Sequence, residues 1–481
     1  MNEKLAFTVL ASRECADEPS ALQHLQIYSV RLLIKVMNAQ YIVKTLGHAT
    51  LMIKEDGIPL IATDPWLIGS AYWRSWWLEK YPTKEEIEDV RQAENIYITH
   101  SHPDHFHYPS LRHVGQRKIL HPRFPRYDVP DFLEENGFES EVLEPWKWKQ
   151  IGKNVRVMSL SVPIDDSVLI IETPNAFVLN FNDSNPRPGY LRLIRDKVIT
   201  KGKAVVMMKS YSPASIATSM YREGKASPMK GKKDYSDTAR TMAETIGATH
   251  FVPFASQVFF SRNDSTWAND TKVTYEDLKI FWGDSPVQLC PPFIEMDLDT
   301  LKYTSSYSDV NRKLDADNLK KVMLREKEEE EFILPDDCGA KLKKYLDEVF
   351  FLRKLFRRGI GWKVNTSHKE FFYNTRTGKI EDKIPEKYDL IITLPDKVLY
   401  ESLENNVLTD LGISMFIRVD TKISTKFTYG FFLLMGLHDY GHFNSFKDWL
   451  RFVRFYTPHG LPILFKVRDL FSTSVGEAKL R

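Results

Sequence analysis

A histidine-rich segment of the form His-x-His-x-Asp-His, at residues 100–105, constrains this chain more than any other part of its sequence. It follows an apolar run that predicts a strand at Asn95–Thr99. Side chains alternate along an extended backbone, so His100 and His102 can point to the same side. Asp104 and His105 lie on the next turn. Imidazole and carboxylate groups suit zinc, iron or manganese. The alternative is a histidine-rich loop without a metal, but four ligand-type residues at this spacing favour a metal site.

Short apolar runs around this segment predict a mixed α/β fold. Strands are predicted at Tyr41–Thr45, Thr50–Lys54, Leu60–Thr63, Val155–Leu160, Ser167–Glu172, Ala176–Phe181 and Ala204–Met208, and helices at Pro82–Ala93 and Thr238–Ile246. Meandering strands with helices between some of them favour an α/β sandwich over a purely parallel sheet.

Composition excludes several classes of protein. The charges balance to +2, from 66 Lys and Arg against 64 Asp and Glu, which does not favour nucleic-acid binding. Three scattered cysteines are too few for a disulfide framework or a cysteine-rich cluster. Apolar runs such as Phe431–Leu434 fall far short of the roughly 20 residues of a membrane-spanning helix. Charged residues between Arg13 and Glu18 argue against a signal peptide, so we expect a cytoplasmic protein.

The histidine-rich segment resembles the signature of the metallo-β-lactamase fold. Other segments resemble one branch of that superfamily, which contains ascorbate-6-phosphate lactonase-type enzymes and the metallo-β-lactamase-like part of CMP-N-acetylneuraminate hydroxylases. These segments are Gly47-His48-Ala49, Thr63-Asp64-Pro65-Trp66-Leu67, Trp76-Trp77, Tyr108-Pro109-Ser110-Leu111 and Val252-Pro253-Phe254-Ala255. The resemblance covers residues 40–300 and implies an αββα sandwich.

The resemblance also implies a set of metal ligands. His100 and His102 would hold one ion, Asp104 and His105 would hold a second, and Asp183 would bridge them. The implied cofactor is one or two divalent ions, zinc or iron, with manganese as a further alternative.

Two positions depart from the pattern of the superfamily. Val162 stands where a third histidine of the first site is expected, and Ser256 and Gln257 stand where the last histidine of the second site is expected. Asp165 and Asp166 could substitute only if their loop is reshaped. Each of the two sites therefore lacks one ligand.

Three further residues are candidates to hydrogen-bond to the metal ligands and orient them. They are His48, Asp64 and Asn182. The alternative for His48 is a buried turn residue bonded to backbone, and the alternative for Asp64 is a turn cap before Pro65. We expect His107 and His113 to be structural or surface residues.

Metal-dependent hydrolysis of an ester, lactone or phosphodiester is the first function that this set predicts, with Asp104 and His48 as catalytic residues. The alternative is a non-heme iron oxygenase. The printed sequence has no Cys-x-His and Cys-x-x-His pair of the Rieske kind, so this alternative requires a separate electron donor. A binding module without catalysis is the third interpretation.

Four residues are predicted to bind the substrate. Arg187 and Lys209, with Tyr211 beside Lys209, suit a small anionic substrate. Trp66 suits stacking on a sugar or base ring, and it belongs to an aromatic loop that also carries Tyr72, Trp73, Trp76 and Trp77. The alternatives are surface charge for the first pair and loop packing for the aromatic residues.

Four parts are predicted along the chain: an extension at 1–39, the metallo-β-lactamase-like domain at 40–311, a charged helical linker at 312–334 and an α/β accessory domain at 335–481. The extension has two interpretations. The helix-like spacing at 21–36 predicts an ordered helix, whereas Met37 could be the biological start.

The accessory domain resembles small lipid-carrier-like domains; the alternatives are homodimerisation or capping of the substrate. Its predicted elements are helices at Leu342–Leu355 and Lys397–Glu404 and strands at Leu390–Leu394, Met415–Val419 and Phe427–Leu434. Gly436 and Gly441 favour a loop over a metal site around His438 and His442.

Overall fold

The computed structural model describes residues 40–126, 128–163, 166–222, 224–350, 359–381 and 388–457. The predictions for 1–39, including the helix-like spacing at 21–36 and the role of Met37, lie outside the described residues, as does Asp165.

Within the described residues, one mixed sheet has the strand order β20-β19-β1-β2-β3-β6-β7-β8. Its strands are β1 (Tyr41–Leu46), β2 (Thr50–Glu55), β3 (Ile58–Thr63), β6 (Asn95–Tyr97), β7 (Lys118–Pro122), β8 (Ser140–Leu143), β19 (Ile294–Asp297) and β20 (Tyr303–Ser305). Strands β3, β6, β7 and β8 run parallel, so their carboxyl ends meet at one edge.

A second sheet has the order β18-β16-β13-β12-β11-β10-β9 among the described residues. Its strands are β9 (Lys149–Gln150), β10 (Arg156–Val162), β11 (Asp166–Glu172), β12 (Ala176–Asn182), β13 (Ala204–Lys209), β16 (His250–Pro253) and β18 (Gln288–Leu289). Every residue of β12 is buried, as expected for a strand covered on both faces.

The two sheets face each other. The Tyr97 hydroxyl on β6 lies 2.8 Å from Ser159 Oγ on β10 and 2.9 Å from Ser167 Oγ on β11, which joins the sheets through their buried faces. Helices cover the outer faces and the ends of the sandwich: α1 (Lys84–Gln92), α2 (Tyr108–Val114), α3 (Val129–Glu135), α4 (Pro188–Val198), α5 (Lys232–Ile246) and α6 (Tyr275–Trp282). The predicted αββα architecture is confirmed.

The charged segment after the sandwich forms helix α7 (Ala316–Glu330), as its composition predicts. The remaining helices are α8 (Cys338–Val349), α9 (Asp396–Glu404), α10 (Thr425–Asp439) and α11 (Phe446–Tyr456).

A third sheet, in the order β15-β14-β25-β24-β21-β22-β23, crosses the predicted domain boundary. Its strands are β14 (Met220–Arg222), β15 (Lys225–Ala226), β21 (Gly361–Asn365), β22 (Glu370–Asn374), β23 (Lys379–Glu381), β24 (Leu390–Thr393) and β25 (Arg418–Thr421). Because β14 pairs with β25, the two predicted domains share a sheet. A small sheet of β4 (Ser70–Ala71), β5 (Trp76–Leu78) and β17 (Val258–Phe260) lies near the histidine-rich segment.

The prediction of a strand at Phe427–Leu434 is wrong, because this run lies inside helix α10. A short apolar run does not distinguish a strand from a buried helix. Here Phe431, Phe432 and Met435 pack into the core of the third sheet at helical spacing. The strand predicted at Met415–Val419 is displaced to Arg418–Thr421.

Among the helices that the structure describes, none has both the length and the apolar composition needed to cross a bilayer.

A buried ion pair joins helix α7 to the loop after β17. Arg262 is 1% exposed, and its two Nη atoms donate to the Glu329 carboxylate at 2.9 and 2.6 Å. The guanidinium also lies over the Phe416 ring, 4.2 Å from its centroid. This contact connects the sandwich, the charged helix and the C-terminal part.

Replacing Glu329 by alanine should lower the free energy of unfolding by about 2 kcal/mol, because it removes the buried one of the two carboxylates bonded to the Arg262 guanidinium and leaves only the more exposed Asp264. Urea denaturation measures this change. Glu330→Ala is the matched control, since Glu330 is exposed on the same helix; its effect should stay within about 0.5 kcal/mol. Equal stability of the two variants would contradict the structural role of the pair.

Candidate metal centre

Strand ends from both sheets meet at one place. Asp64 follows β3, and the histidine-rich segment follows β6, its parallel neighbour. In the second sheet, Asp183 follows β12 and Lys209 ends the parallel strand β13. Residues distant in sequence therefore converge at the shared edge, as the carboxyl ends of parallel strands do in open α/β sheets.

The Asp64 carboxylate fixes the start of the histidine-rich segment. It accepts hydrogen bonds from the Thr99 backbone N–H at 2.7 Å and from the Thr99 hydroxyl at 2.6 Å. Its Oδ2 also lies 2.9 Å from His105 Nδ1. A carboxylate on one ring nitrogen fixes the tautomer and leaves Nε2 to face a metal, so Asp64 lies where the sequence analysis expects a supporting residue.

One ligand-like group contains His48, Asp104 and His105, all buried. His48 Nε2 lies 3.0 Å from Asp104 Oδ2, and His105 Nε2 lies 3.4 Å from the same oxygen. His48 reaches this position from the turn between β1 and β2. At this turn Gly47 has a φ of +54°, and a Cβ there would lie 3.0 Å from the Trp66 carbonyl oxygen.

A second group contains His100, His105 and Asp183. His105 Nε2 lies 3.4 Å from Asp183 Oδ2, and His100 Nε2 lies 2.8 Å from His102 Nδ1. In each group the ligand atoms lie within 4.8 Å of one another. Four of the five residues that were predicted as metal ligands, His100, Asp104, His105 and Asp183, belong to these groups, whereas His102 belongs to neither group and contacts His100.

The charges of these residues are strongly coupled. Although burial favours a neutral ring, Asp104, Asp183 and Asp64 raise the pKa of His105 well above its usual value. Burial lowers the pKa of His100, and the nearby His105 adds to this effect. For Asp104, burial is outweighed by His105 and His48, which hold its pKa well below the usual range.

Several buried nitrogens fit a bound cation. His48 Nδ1, His48 Nε2 and His105 Nε2 are buried and, among the described residues, have no hydrogen-bond partner of suitable geometry. The 3.0 Å approach of His48 Nε2 to Asp104 is thus a close charge contact without hydrogen-bond alignment. Native proteins rarely leave such groups unsatisfied, so the donor set fits a divalent metal.

The two positions that depart from the superfamily pattern hold other roles. Val162 is buried at the end of β10, where its carbonyl accepts from the Tyr456 hydroxyl at 3.1 Å. Ser256 Oγ accepts from the Tyr211 backbone N–H at 3.1 Å, and Gln257 donates to the Pro253 carbonyl at 2.8 Å.

Asp166, the first residue of β11, lies near His100 of the candidate metal centre. Its Oδ1 lies 3.7 Å from His100 Nδ1. Burial raises the pKa of Asp166 well above its usual value, and Asp183 adds to this effect. Asn182 supports its neighbour, because its side-chain oxygen accepts from the Asp183 backbone N–H at 2.5 Å.

Two tyrosines complete the surroundings: Tyr72, whose place in the aromatic loop but not its contact was predicted, and Tyr440, which was not predicted. The Tyr72 hydroxyl donates to Asp104 Oδ1 at 2.7 Å. The Tyr440 hydroxyl lies 2.8 Å from His102 Nε2, although Tyr440 is 338 residues away along the chain. Tyr440 follows helix α10 in the His438–His442 segment, where the sequence drew attention to the histidines instead of the tyrosine.

A cavity of about 1050 Å³ opens beside this cluster. Its lining includes His100, His102, Asp166, Asp183, Lys209 and Tyr211. Arg187, which precedes helix α4, also lines it. Burial lowers the pKa of Lys209 to about 8, although Asp183 and Asp166 act in the opposite direction.

Trp66 does not line this cavity, contrary to the prediction that it binds the substrate. It is fully buried and packs its ring against His107 at a centroid distance of 5.6 Å. Trp76, from the same aromatic loop, lines the cavity instead. His107 begins helix α2 and accepts from the Ser110 backbone N–H at 3.3 Å, which is the structural role expected for it.

The aromatic loop packs against the C-terminal part of the chain, as one alternative predicted. Trp73 Nε1 donates to Glu401 at 2.9 Å, and Trp76 Nε1 donates to the Ile413 carbonyl at 3.2 Å. The C-terminal part therefore contacts both the loop that carries Tyr72 and, through Tyr440, the histidine-rich segment.

Comparisons with known proteins agree with this architecture. Residues 42–179 match the family described as a beta-lactamase superfamily domain. The cytidine monophosphate-N-acetylneuraminic acid hydroxylase of Cricetulus griseus is 28% identical over 255 residues, or 49% of this chain and 43% of that protein. A Homo sapiens relative, described as an inactive form of this hydroxylase, is 31% identical over 47% of each chain. The chain thus spans somewhat less than half the length of these curated relatives.

Solved structures with partial similarity include CmlA, a diiron beta-hydroxylase from Streptomyces venezuelae, at 16% identity and a TM-score of 0.38; the match covers 54% of each chain. Igni18, a metallo hydrolase from Ignicoccus hospitalis, has 13% identity and a TM-score of 0.35, and the match covers 55% of this chain and 97% of Igni18.

The family match over residues 42–179, the sequence relatives and the two facing sheets together support a metallo-β-lactamase fold for this part of the chain.

Proposed function

We propose that this protein is a non-heme iron hydroxylase that acts on a small anionic, sugar- or nucleotide-like molecule with electrons from a separate donor. One observation carries the proposal: each of the two ligand-like groups contains two histidines and one carboxylate. Two histidines and one carboxylate with open positions are typical of iron(II) oxygenases.

The departures from the superfamily pattern support the same choice. Valine and serine at positions 162 and 256 reduce the number of histidines, whereas Asp104, Asp166 and Asp183 supply carboxylates. A site richer in oxygen ligands suits iron or manganese better than one built for zinc from nitrogen and sulfur.

The curated relatives add support, because several that match are named as hydroxylases, one of them as an inactive form. Their matched regions cover less than half of each of these relatives, so substrate and electron donor are part of the proposal. Iron held by such ligands supplies activation of dioxygen. Hydroxylation of a C–H bond places one oxygen atom in the product and one in water, and it consumes two electrons and two protons; the electrons come from a small redox protein.

The chain's own residues have separate tasks in this reaction. Asp64 holds His105 with Nε2 directed at Asp104 and Asp183. Tyr72 donates to Asp104 and holds that carboxylate in one orientation. Tyr440 contacts His102 Nε2, so that Nδ1 of the same ring faces His100. The cavity beside these groups provides the space for a substrate.

Hydrolysis is the second candidate, and the ionised state of Asp104 favours it. His105 and His48 outweigh burial and keep the pKa of Asp104 well below its usual range, so the carboxylate is ionised and has the free electron pairs that a proton acceptor needs, although it is a weaker base than an ordinary aspartate. In this case the metal would be zinc or manganese and the substrate an ester, lactone or phosphodiester.

Isotope labelling separates the two reactions. Protein loaded with iron(II) without oxygen, then supplied with ¹⁸O₂, a ferredoxin and its reductase, should convert a member of a panel of anionic sugars and nucleotides into a product two mass units heavier than the product formed with ¹⁶O₂. Protein loaded with zinc should not. Cleavage products from zinc-loaded protein, without incorporation of ¹⁸O from ¹⁸O₂, would contradict the hydroxylase and support hydrolysis.

Asp183→Ala should reduce bound metal to less than half of the wild-type content, because it removes the carboxylate of the second group. Elemental analysis of the purified protein measures this. The control is Asp196→Ala, since Asp196 is an exposed aspartate on helix α4 whose ion pair is with Arg195. Unchanged metal content in Asp183→Ala would remove this residue from the ligand set.

Tyr440→Phe should weaken metal affinity by about 10-fold to 100-fold while the protein remains folded, because the change removes the hydroxyl that orients His102. Competition with a chromogenic chelator measures the affinity. Tyr108→Phe is the control, since the Tyr108 hydroxyl bonds to Asn136 at the surface. If both variants bind metal like the wild type, Tyr440 has no role in positioning His102.

A further inference from the structure

A buried ammonium group lies in the cavity beside the histidine cluster. Lys209 is only 2% exposed, and its Nζ makes one long hydrogen bond, to Ser210 Oγ at 3.4 Å. Among the described residues, no carboxylate oxygen lies within 4.0 Å of it. An ammonium has three protons to donate, so Lys209 has donor capacity that the fold does not use.

The strand register explains why Lys209 is held at this point. It pairs with Asn182 on β12 and with Pro253 on β16, both at strand ends. Asp183 follows Asn182, and Ser256 follows shortly after Pro253. Lys209 therefore stands between the metal-binding edge and the segment that carries Ser256.

Burial of this lysine costs stability instead of adding to it. A buried charge without a close partner is unfavourable, because the low-dielectric interior replaces its hydration shell. The carboxylates of Asp166 and Asp183 act on Lys209 from beyond ion-pair distance, and burial outweighs them. A residue kept at such a cost is typical of a binding site.

The surroundings of Lys209 contribute further hydrogen-bond donors. Ser256 Oγ accepts the backbone N–H groups of Tyr211 and Ser212 at 3.1 and 3.3 Å. Its own hydroxyl proton is thereby left to donate toward the cavity that it lines. Val162 lines the same cavity. The two positions that lack the histidines of the superfamily thus both border this space, and their smaller side chains enlarge it.

Away from the metal-binding edge, most charged residues of the cavity lining are basic. They are Arg187, Lys230, Lys426 and Lys272, of which Lys272 is paired with the buried Glu79. Away from the metal-binding edge, the acidic residue of its lining is Asp237, which is paired with Lys233 and Arg240. The cavity thus favours an anion.

We propose that Lys209 and Ser256 bind an oxyanion of the substrate, a carboxylate or a phosphate, next to the metal. This inference deepens the proposed function and rests on it for the position of the reacting atom. The oxyanion accepts hydrogen bonds from Nζ of Lys209 and from the hydroxyl of Ser256, and this anchors the substrate with another part near Asp183 and His100.

Titration calorimetry with inorganic phosphate and with acetate tests the site. The probe with the lower dissociation constant shows whether the site prefers a phosphate or a carboxylate. Lys209→Met should raise the dissociation constant of the preferred probe at least tenfold, and Ser256→Ala should raise it by a smaller factor. Lys201→Met should bind like the wild type, because Lys201 is exposed in a loop away from the cavity lining. Each protein is measured as purified and again after treatment with a chelator.

Two further readouts separate anion binding from a structural role. Lys209→Met should melt at or above the wild-type temperature, because it removes an uncompensated buried charge. It should also retain the wild-type metal content. If the wild type itself contains no metal, that result counts against the proposed function but not against the oxyanion site. Unchanged affinity for both probes in Lys209→Met, or a lower melting temperature with unchanged affinity, would overturn the oxyanion site.

Discussion

The Asp64 carboxylate holds the candidate metal centre together. It bonds the Thr99 backbone N–H, the Thr99 hydroxyl and His105 Nδ1, all within 2.9 Å. These contacts fix the path of the chain after β6 and fix the tautomer of His105. Since Nε2 of that ring then faces Asp104 and Asp183, the arrangement of the remaining ligands depends on this buried carboxylate.

His105 belongs to both ligand-like groups, and this limits how many metal ions the two groups can bind at once. A neutral imidazole has one free nitrogen once Nδ1 is bonded to Asp64, so Nε2 can bind one ion at a time. A second ion would depend on His100, His102 and the carboxylates of Asp166 and Asp183. Under the proposed function, His105 would therefore hold one ion, and any second ion would depend on the residues beside it.

Local patterns predicted the parts of the site that lie close together in sequence. The spacing of His100, His102 and His105 after a strand predicted a metal site, and the resemblance to the metallo-β-lactamase fold added Asp183. Tyr440 could not be predicted in this way, because its contact with His102 depends on how helix α10 packs against the sandwich. The same limit explains two other differences between prediction and structure. A helix was mistaken for a strand at Phe427–Leu434. The pairing of β14 and β15 with a sheet formed mainly by the C-terminal part was not predicted.

Diffraction from crystals of the iron-loaded protein, recorded on both sides of the iron absorption edge, tests the central claim most directly. An ion bound as proposed should give an anomalous peak about 2.0–2.2 Å from His105 Nε2, with an oxygen of Asp104 or Asp183 in the same coordination sphere. A peak bound elsewhere, or no peak with His105 still bonded to Asp64, would contradict it.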